Sequence, residues 1–403
     1  MADTNNDKKI ESYRWVILTL FILIALISQL LWLTFAPISS EISDSYHVSA
    51  FDVSLLSLVW PLIFVIFAIP VGIFIDKNGF NISVRIGAIF LAVFGVMRVF
   101  SASFDNNFPL LLISQTGAAI SQPFIFGSIT KLAISWFPEK EHGLATGLGT
   151  IGLFLGMMLA LAVTPVLFQE YGLISMLMIY AFVSCIAAFL FVLLGREEET
   201  ILSEQSRSSF TLRDIWKLSK SKSFVILEYG FFAVVGGFTA IMTWLEEILS
   251  ALHGLNIDQA GLIGGIMILG GIIGSIIMPI ISDKMKILKP LILLNLAVGT
   301  SILFFIEVFN GVILLSIAFF VAGFFLMSAL PLVLEISSKI SGVGMEGRAS
   351  SLLWFFSQIG SVILIAIVEP IKAITGSYYY SIFILSVLWV IAFFLFIGIN
   401  EKS

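Results

Sequence analysis

Apolar runs long enough to cross a membrane dominate this sequence. A helix needs about 20 apolar residues to cross the hydrocarbon core. Runs of about this length recur along the chain near 14–38, 52–75, 84–103, 109–136, 143–168, 173–195, 223–250, 258–282, 290–309, 312–338, 347–370 and 376–398. Open strands cannot span lipid, and the sequence lacks the ten-residue alternation of a membrane barrel. It therefore predicts an all-α polytopic membrane protein with twelve transmembrane helices.

The scarcity of charge excludes several classes of protein. Charged residues make up 12% of the 403 residues, whereas a soluble domain carries roughly a quarter. This balance excludes a soluble enzyme, a disordered chain and a nucleic-acid binder. The single cysteine, Cys185, rules out a disulfide framework or a multi-cysteine metal site. We expect no metal and no cofactor, and as partners a lipid bilayer and a small-molecule solute, with no nucleic acid, for a chain acting as a monomer.

The distribution of basic residues predicts the orientation. With the N-terminus inside, Lys and Arg fill the cytoplasmic connections, and Lys372 alone lies in an outer loop. The first apolar run is too long for the hydrophobic region of a signal peptide, so we interpret it as a retained span. The sequence predicts a multi-pass protein of the plasma membrane with both termini in the cytoplasm.

One long polar connection divides the chain into two related halves. We predict an N-terminal six-helix bundle over 1–195, a cytoplasmic linker over 196–222 and a C-terminal six-helix bundle over 223–403. Asp76-Lys77 after span 2 recurs as Asp283-Lys284 after span 8. Two pseudo-symmetric bundles of this kind resemble the major facilitator fold, which implies a substrate site between the halves near the midplane.

The connection after span 2 resembles the local signature of that superfamily, G-x-x-x-D-[RK]-x-G. Gly72 would permit close helix contact, and Gly79 would permit a tight turn. Asp76 could accept hydrogen bonds from a helix N-terminus or from a basic partner across an inner gate. The residues predicted to gate the carrier are Gly72, Asp76, Lys77, Gly79, Asp283 and Lys284.

Glycines at three- and four-residue spacing in spans 5 and 8 predict close packing between helices. In span 5 the series includes Gly149, Gly152 and Gly156, and in span 8 it includes Gly261 and Gly264. We expect span 5 to use these glycines against a helix of the other half.

Sorting the polar residues by depth leaves a neutral centre. Glu228 and Glu335 lie near the cytoplasmic ends of spans 7 and 10, and Lys339 lies one turn after Glu335, a spacing that favours an intrahelical pair. These two glutamates are candidates for proton coupling. The candidates for substrate binding are instead Gln29, Trp32, Gln122, Thr239, Trp244 and Gln358. Alternatively, a buried glutamine joins helix to helix, and Trp32 belongs to an interfacial belt.

Short motifs spread over most of the chain resemble the feline leukaemia virus subgroup C receptor-related transporters, which move choline and related cations and have been linked to haem. The motifs include Trp32 in span 1, Ile120-Ser121-Gln122-Pro123 in span 4 and Ser357-Gln358 in span 11. The resemblance implies that Trp32 and Gln122 contact the substrate, with Gln358 nearby. Thr239 stands where the family tends to present a tyrosine, and Trp244-Leu-Glu246-Glu247 departs from the family pattern.

The sequence predicts a carrier for choline or a related organic cation, working by alternating access as a facilitated uniporter. Aromatic faces hold a quaternary ammonium without a carboxylate. One alternative is a proton-coupled exporter of amphipathic cations that uses Glu228 or Glu335. Another is an organic-anion carrier that uses Lys131 and Arg98. An embedded enzyme is disfavoured because all three histidines lie in loops or at membrane edges.

Overall fold

A computed structural model describes residues 3–104, 106–197, 220–341 and 346–399. Every regular element in these ranges is helical, which confirms the predicted all-α class. The α-helices are α1 (Asp3–Leu33), α2 (Ser39–Tyr46), α3 (Ala50–Ser103), α4 (Phe108–Ala119), α5 (Ser121–Trp136), α6 (His142–Leu194), α7 (Lys222–Thr243), α8 (Leu245–His253), α9 (Ile257–Met285), α10 (Leu288–Phe304), α11 (Val312–Ser341), α12 (Glu346–Thr375) and α13 (Tyr378–Ile397).

Polar residues define where several of these helices begin. The Asn107 side chain accepts a hydrogen bond from the Leu110 N–H at 2.9 Å and caps α4. Asn256 and Gln259 form a reciprocal capping box at the start of α9, with distances of 2.9 and 3.2 Å. Such caps satisfy backbone N–H groups that have no partner within the helix.

Two of the helices are about twice as long as a single crossing requires. α3 has 54 residues and α6 has 53, and a straight helix of that size would be about 80 Å long. Each contains one glycine at positive φ, Gly79 (85°) in α3 and Gly172 (75°) in α6. This backbone conformation favours glycine, so the chain bends at these two positions and each long helix can supply two crossings.

Nine helical segments among the described residues are long and apolar enough to cross a membrane, and α10 is a shorter apolar helix of 17 residues. These lengths favour the twelve-span count, which stays a prediction. The predicted span 223–250 is too long, because α7 ends at Thr243 and Trp244 leaves helical geometry (φ −101°, ψ 10°). The next helix, α8, lies outside the nine apolar segments.

The contacts group the chain into two compact units. Unit 1 contains Met1–Trp32, Ile66–Met157 and Glu170–Ser209, and unit 2 contains Leu33–Val65, Met158–Gln169 and Phe210–Ser403. This grouping follows contacts rather than the sequence repeat, so the predicted division at 196–222 stays a prediction. Residues 198–219 of that linker lie outside the described ranges.

In unit 1, glycines of α6 bring that helix against α1. A Cβ atom on Gly152 would lie 2.9 Å from the Ile22 carbonyl oxygen, and one on Gly156 would lie 2.1 Å from the Leu26 carbonyl oxygen. Only a residue without a side chain fits such an approach. The prediction that these span 5 glycines face the other half is therefore wrong, because their partner α1 belongs to the same half of the sequence.

In unit 2, the same device joins two pairs of helices. A Cβ atom on Gly274 would lie 2.1 Å from the Phe324 carbonyl oxygen, which places α9 directly against α11. A Cβ atom on Gly360 would lie 2.2 Å from the Phe232 carbonyl oxygen, which places α12 directly against α7. Close backbone approach of this kind supports helix association in lipid through van der Waals contact.

Candidate functional site

The C-terminal end of α1 carries two predicted binding residues one turn apart. Gln29 is 1% exposed and Trp32 is 7% exposed, so both side chains are buried, and both residues belong to unit 1. The Gln29 Nε2 atom has no hydrogen-bond partner in the part of the chain that the structure describes. An unsatisfied amide donor away from water is costly, and a polar ligand would relieve that cost.

Gln122 lies at a break in span 4. α4 ends at Ala119 and α5 begins at Ser121, so Ile120 alone separates the two helices. Pro123 contributes to this break because it cannot donate a backbone hydrogen bond to the preceding turn. Gln122 is 2% exposed, and its Oε1 atom accepts no hydrogen bond from any described residue.

A second glutamine on span 4, Gln115, was not among the predicted site residues. Its Nε2 atom donates to the carbonyl oxygens of Leu31 at 3.1 Å and Trp32 at 3.3 Å. These carbonyls belong to the last turn of α1, where helix carbonyls have no partner within the helix. Gln115 therefore fixes the backbone that carries Trp32. The seven-residue spacing from Gln122 was the available signal, because it would place both amides on one face of a continuous helix.

Two of the three predicted residues of unit 2 have a different character, because the polar groups of Thr239 and Trp244 are engaged within the unit. The Thr239 hydroxyl donates to the Val235 carbonyl of its own helix at 2.9 Å. The Trp244 indole N–H donates to the Ile365 carbonyl at 3.0 Å, and the side chain is fully buried. Gln358, 8% exposed, lies on α12, which packs against α7 through Gly360.

The structure thus places the predicted binding residues in two sets. Gln29, Trp32 and Gln122 belong to unit 1, where Gln115 ties span 4 to the end of α1. Thr239 and Gln358 lie on the neighbouring helices α7 and α12 of unit 2. Trp244 takes part in packing within unit 2 and presents no free indole N–H.

The motif after span 2 makes two contacts within unit 1. Lys131 Nζ lies 3.6 Å from Asp76 Oδ1 and donates to the Ile75 carbonyl at 2.7 Å. The basic partner of Asp76 is therefore a residue of span 4, in the same unit. Lys131 was considered as part of an anion site, but in this arrangement its charge is balanced by the motif aspartate.

Gly79 allows a carboxylate to approach the next helical segment. Glu197 Oε1 accepts from the Phe80 N–H at 3.2 Å, and Glu197 Oε2 accepts from the Asn81 N–H at 2.8 Å. A Cβ atom on Gly79 would lie 2.5 Å from Glu197 Oε1, so a larger residue would displace this contact. An anion is favourable at the first N–H groups of a helix. Burial raises the pKa of Glu197, and the two backbone hydrogen bonds oppose that rise.

Glu197 was missed by the sequence analysis, because nothing in the motif points to a residue far along the chain. The other motif positions are less constrained. The close helix contact predicted at Gly72 is wrong, because a Cβ atom there would meet no described atom within 4 Å. Lys77 is exposed. Asp283 and Lys284, the second copy, are both exposed at the end of α9.

The two candidate coupling glutamates differ in environment. Lys339 Nζ and Glu335 Oε1 form the predicted intrahelical pair at 2.6 Å, which confirms that spacing argument. Glu228 is only 5% exposed on α7 and makes an interaction of its own.

Arg98, which was considered as part of an anion site, is 1% exposed in unit 1. No group of three or more His, Cys, Asp or Glu that could hold a metal occurs within the described ranges.

Comparison with known proteins identifies the family. The profile of the Major Facilitator Superfamily matches residues 20–365. An uncharacterized protein of Archaeoglobus fulgidus is 36% identical over 54% of this chain and 98% of its own length. A choline/ethanolamine transporter of Danio rerio is 26% identical over 89% of this chain and 78% of its own. Solute carrier family 49 member A3 of Xenopus tropicalis is 28% identical over 91% and 80%.

A solved structure shares the fold. It is the bacterial homologue of the human lysosomal transporter Spinster, in an inward-facing and unoccupied conformation. The TM-score is 0.76 at 15% sequence identity, covering 95% of this chain and 96% of the other. The resemblance drawn from the motifs is confirmed: the chain belongs to the major facilitator superfamily and is a transporter related to the feline leukaemia virus subgroup C receptor-related family.

Proposed function

We propose that the protein is a plasma-membrane carrier for choline or a closely related organic cation, working by alternating access as a uniporter with both termini in the cytoplasm. The observation that carries the proposal is the set of buried residues Gln29, Trp32 and Gln122 in unit 1, in which each glutamine has an unsatisfied amide atom. The similarity to choline/ethanolamine transporters supports the same substrate class.

The chemistry of these residues suits a cation with a hydroxyl tail. A quaternary ammonium cannot donate a hydrogen bond, so an aromatic face is its natural partner, worth about 2 kcal/mol when desolvated. The unsatisfied Oε1 of Gln122 can accept from a hydroxyl or an ammonium group. The unsatisfied Nε2 of Gln29 can donate to a hydroxyl oxygen. No carboxylate is required for either contact.

The energy source in this proposal is the membrane potential. Moving one positive charge across the membrane is worth about 2.3 kcal/mol per 100 mV. An inside-negative potential therefore draws a cation inward without a coupling ion. Glu228 carries the second candidate function, a proton-coupled antiporter, because it is a buried carboxylate on α7, whereas Glu335 is paired with Lys339.

The test is uptake of radiolabelled choline into proteoliposomes under a potassium diffusion potential set with valinomycin. Uptake by the parent protein should rise with an inside-negative potential. Trp32→Ala should lower uptake at subsaturating choline by about 30-fold, the equivalent of about 2 kcal/mol. Trp15→Ala is the matched control, since Trp15 lies on the same helix but is 40% exposed.

Two outcomes contradict the proposal. Equal losses in Trp32→Ala and Trp15→Ala would remove the site assignment. Uptake that ignores the potential but acidifies or alkalinises pyranine-loaded vesicles would favour the antiporter, and Glu228→Gln should then abolish the pH signal.

A further inference from the structure

Helix α2 begins without a cap of its own. The residue before it, Ile38, makes no side-chain capping bond, so the first N–H groups of α2 need partners from elsewhere. The Ser40 N–H donates to Glu246 Oε2 at 3.0 Å. A glutamate of α8, about 200 residues later in the chain, thus serves as the anion at the start of α2.

Two serine hydroxyls strengthen the same junction. Ser40 Oγ donates to Glu246 Oε1 at 3.0 Å, and Ser39 Oγ donates to Glu247 Oε1 in a short hydrogen bond. We call Ser39, Ser40, Glu246 and Glu247 the latch. All four lie within unit 2, and they join the segment after span 1 to the segment after span 7.

The start of α8, which carries the two glutamates of the latch, is held by contacts with neighbouring helices. Trp244, directly before α8, is anchored to the Ile365 carbonyl, and its ring lies 6.0 Å from that of Tyr378. The Tyr378 hydroxyl donates to Glu369 Oε2 at 2.8 Å, and Lys372 Nζ donates to Glu369 Oε1 at 3.0 Å. α12 and α13 therefore hold the start of α8 in place.

A close helix contact adjoins the latch. A Cβ atom on Gly264 would lie 2.5 Å from Leu245, the neighbour of Glu246, and 3.1 Å from Leu161 of span 5. A Cβ atom on Gly261 would lie 2.4 Å from the Leu161 carbonyl oxygen. Leu161 of span 5, Leu245 of α8 and the two glycines of span 8 thus meet at this point in unit 2, which confirms the close packing expected of the span 8 glycines.

The latch holds more acids than cations. The groups that face Glu247 are Ser39 of α2, Glu246 of its own helix, Glu369 of α12 and Tyr378 of α13. Glu41 of α2 faces Glu246, and the cation Lys372 is paired with Glu369. Burial, followed by the adjacent Glu246, raises the pKa of Glu247 to about 8. Glu247 Oε2 is buried and has no partner among the described residues.

We propose that the latch is a proton-sensitive gate, which holds α2 and α8 together while Glu247 is protonated and releases them when Glu247 loses its proton. The inference rests on the proposed function only in requiring a carrier that opens alternately on each side. In the proposed orientation the latch lies on the extracellular side, because spans 1 and 7 both end there.

The direction of the pH effect follows from linkage. When the latch opens, water reaches Glu247, and its pKa falls toward the ordinary value of about 4.3. The closed latch therefore binds the proton more tightly, so acid stabilises the closed state. That stabilisation is complete below about pH 4 and is lost as the pH rises through about 8. Raising the pH should open the gate.

Labelling of a buried cysteine measures the opening without any substrate. Ile38→Cys in a Cys185→Ser background places a thiol at a position that is 0% exposed beneath the latch, and Ser250→Cys gives an exposed reference on α8. Both are labelled with a maleimide in nanodiscs, where both faces are accessible. The ratio of the two labelling rates cancels the pH dependence of the thiol itself.

We expect this ratio to rise between pH 6 and pH 8, by at most about 50-fold for the pKa values given above. Glu247→Gln keeps the acceptor for Ser39 but cannot ionise, so its ratio should stay low and change less than twofold. Ser39→Ala combined with Ser40→Ala should raise the ratio already at pH 6. Glu170→Gln, an exposed acid in unit 1, should behave as the parent does.

A flat ratio in the parent, or a Glu247→Gln protein that follows the parent, would overturn the latch. The flat ratio is measured without changing any latch residue, so the proposal can be overturned even if the Glu247→Gln protein misfolds. A pH-dependent ratio without choline uptake would overturn only the proposed function. Choline uptake with a flat ratio would overturn only the latch.

Discussion

The residues predicted to bind substrate differ between unit 1 and unit 2 in how their polar atoms are engaged. In unit 1, Gln29 and Gln122 are buried with polar atoms that no described residue satisfies. In unit 2, the Thr239 hydroxyl and the Trp244 indole are engaged with backbone carbonyls. Among the predicted binding residues, unsatisfied polar atoms therefore occur at Gln29 and Gln122 of unit 1, whereas the polar groups of Thr239 and Trp244 of unit 2 already have partners.

The motif copies show the same asymmetry. Asp76 is paired with Lys131, and the turn at Gly79 receives Glu197, whereas Asp283 and Lys284 are exposed. The first copy is part of a network within unit 1, and the second ends a helix. Sequence likeness between the copies does not reveal this difference, because the partners lie outside the motif.

Removing one polar group from each unit should affect choline uptake very differently. Gln122→Leu deletes an unsatisfied acceptor, and Thr239→Val deletes a hydroxyl already bonded to its own helix. We expect Gln122→Leu to raise the KM for choline about tenfold, the equivalent of about 1.4 kcal/mol. Thr239→Val should change it less than twofold. Equal changes in KM for the two variants would show that the polar groups of Gln122 and Thr239 contribute alike to choline binding.

A smaller effect should follow from disturbing the backbone that carries Trp32. Gln115→Leu removes the donor to the Leu31 and Trp32 carbonyls and should raise the KM for choline about fivefold. Gln115→Met keeps the length of the side chain but has no hydrogen-bond donor, so it should lose as much. Ser114→Ala is the neighbouring control, since its hydroxyl bonds only to the Leu110 carbonyl of its own helix. If Gln115→Met retains the parent KM, the amide does not position Trp32.

The smallest expected effect concerns the motif. Glu197→Gln removes the negative charge at the Phe80 and Asn81 N–H groups and should lower the free energy of unfolding by about 0.5 kcal/mol. Asp283→Asn, at the exposed second copy, should leave it unchanged. Thermal unfolding of the two purified variants in detergent measures the difference, and matching shifts would show that the two copies are equivalent.

The fold was accessible from sequence because each apolar run must cross the bilayer alone. The length and composition of these runs therefore predicted the helical class. Short motifs separately indicated the family. The helix boundaries were harder to predict. Trp244 ends α7 because its side chain is anchored to Ile365, a contact from a distant part of the chain that no local pattern encodes.

The sequence allowed candidate binding residues to be named, which stay predictions, but it did not reveal the residues that hold them in place. Trp32 and Gln122 were identified from depth and resemblance, and both are buried in unit 1. Gln115 and Glu197 were missed because each acts on backbone groups of another segment, and any polar residue could do so. Depth alone also could not tell Gln122, with its free acceptor, from Thr239, whose hydroxyl is bonded within α7.

Because Glu246 of α8 caps α2, the helical structure of α2 depends on the latch. An eight-residue helix is too short to persist alone in water. If Glu246 withdraws, the first turn of α2 loses the anion that satisfies it, and helix and coil become close in free energy. Each opening of the latch would then convert the ordered first turn of α2 into coil. Part of the free energy that drives the transport cycle would therefore go into a helix–coil transition.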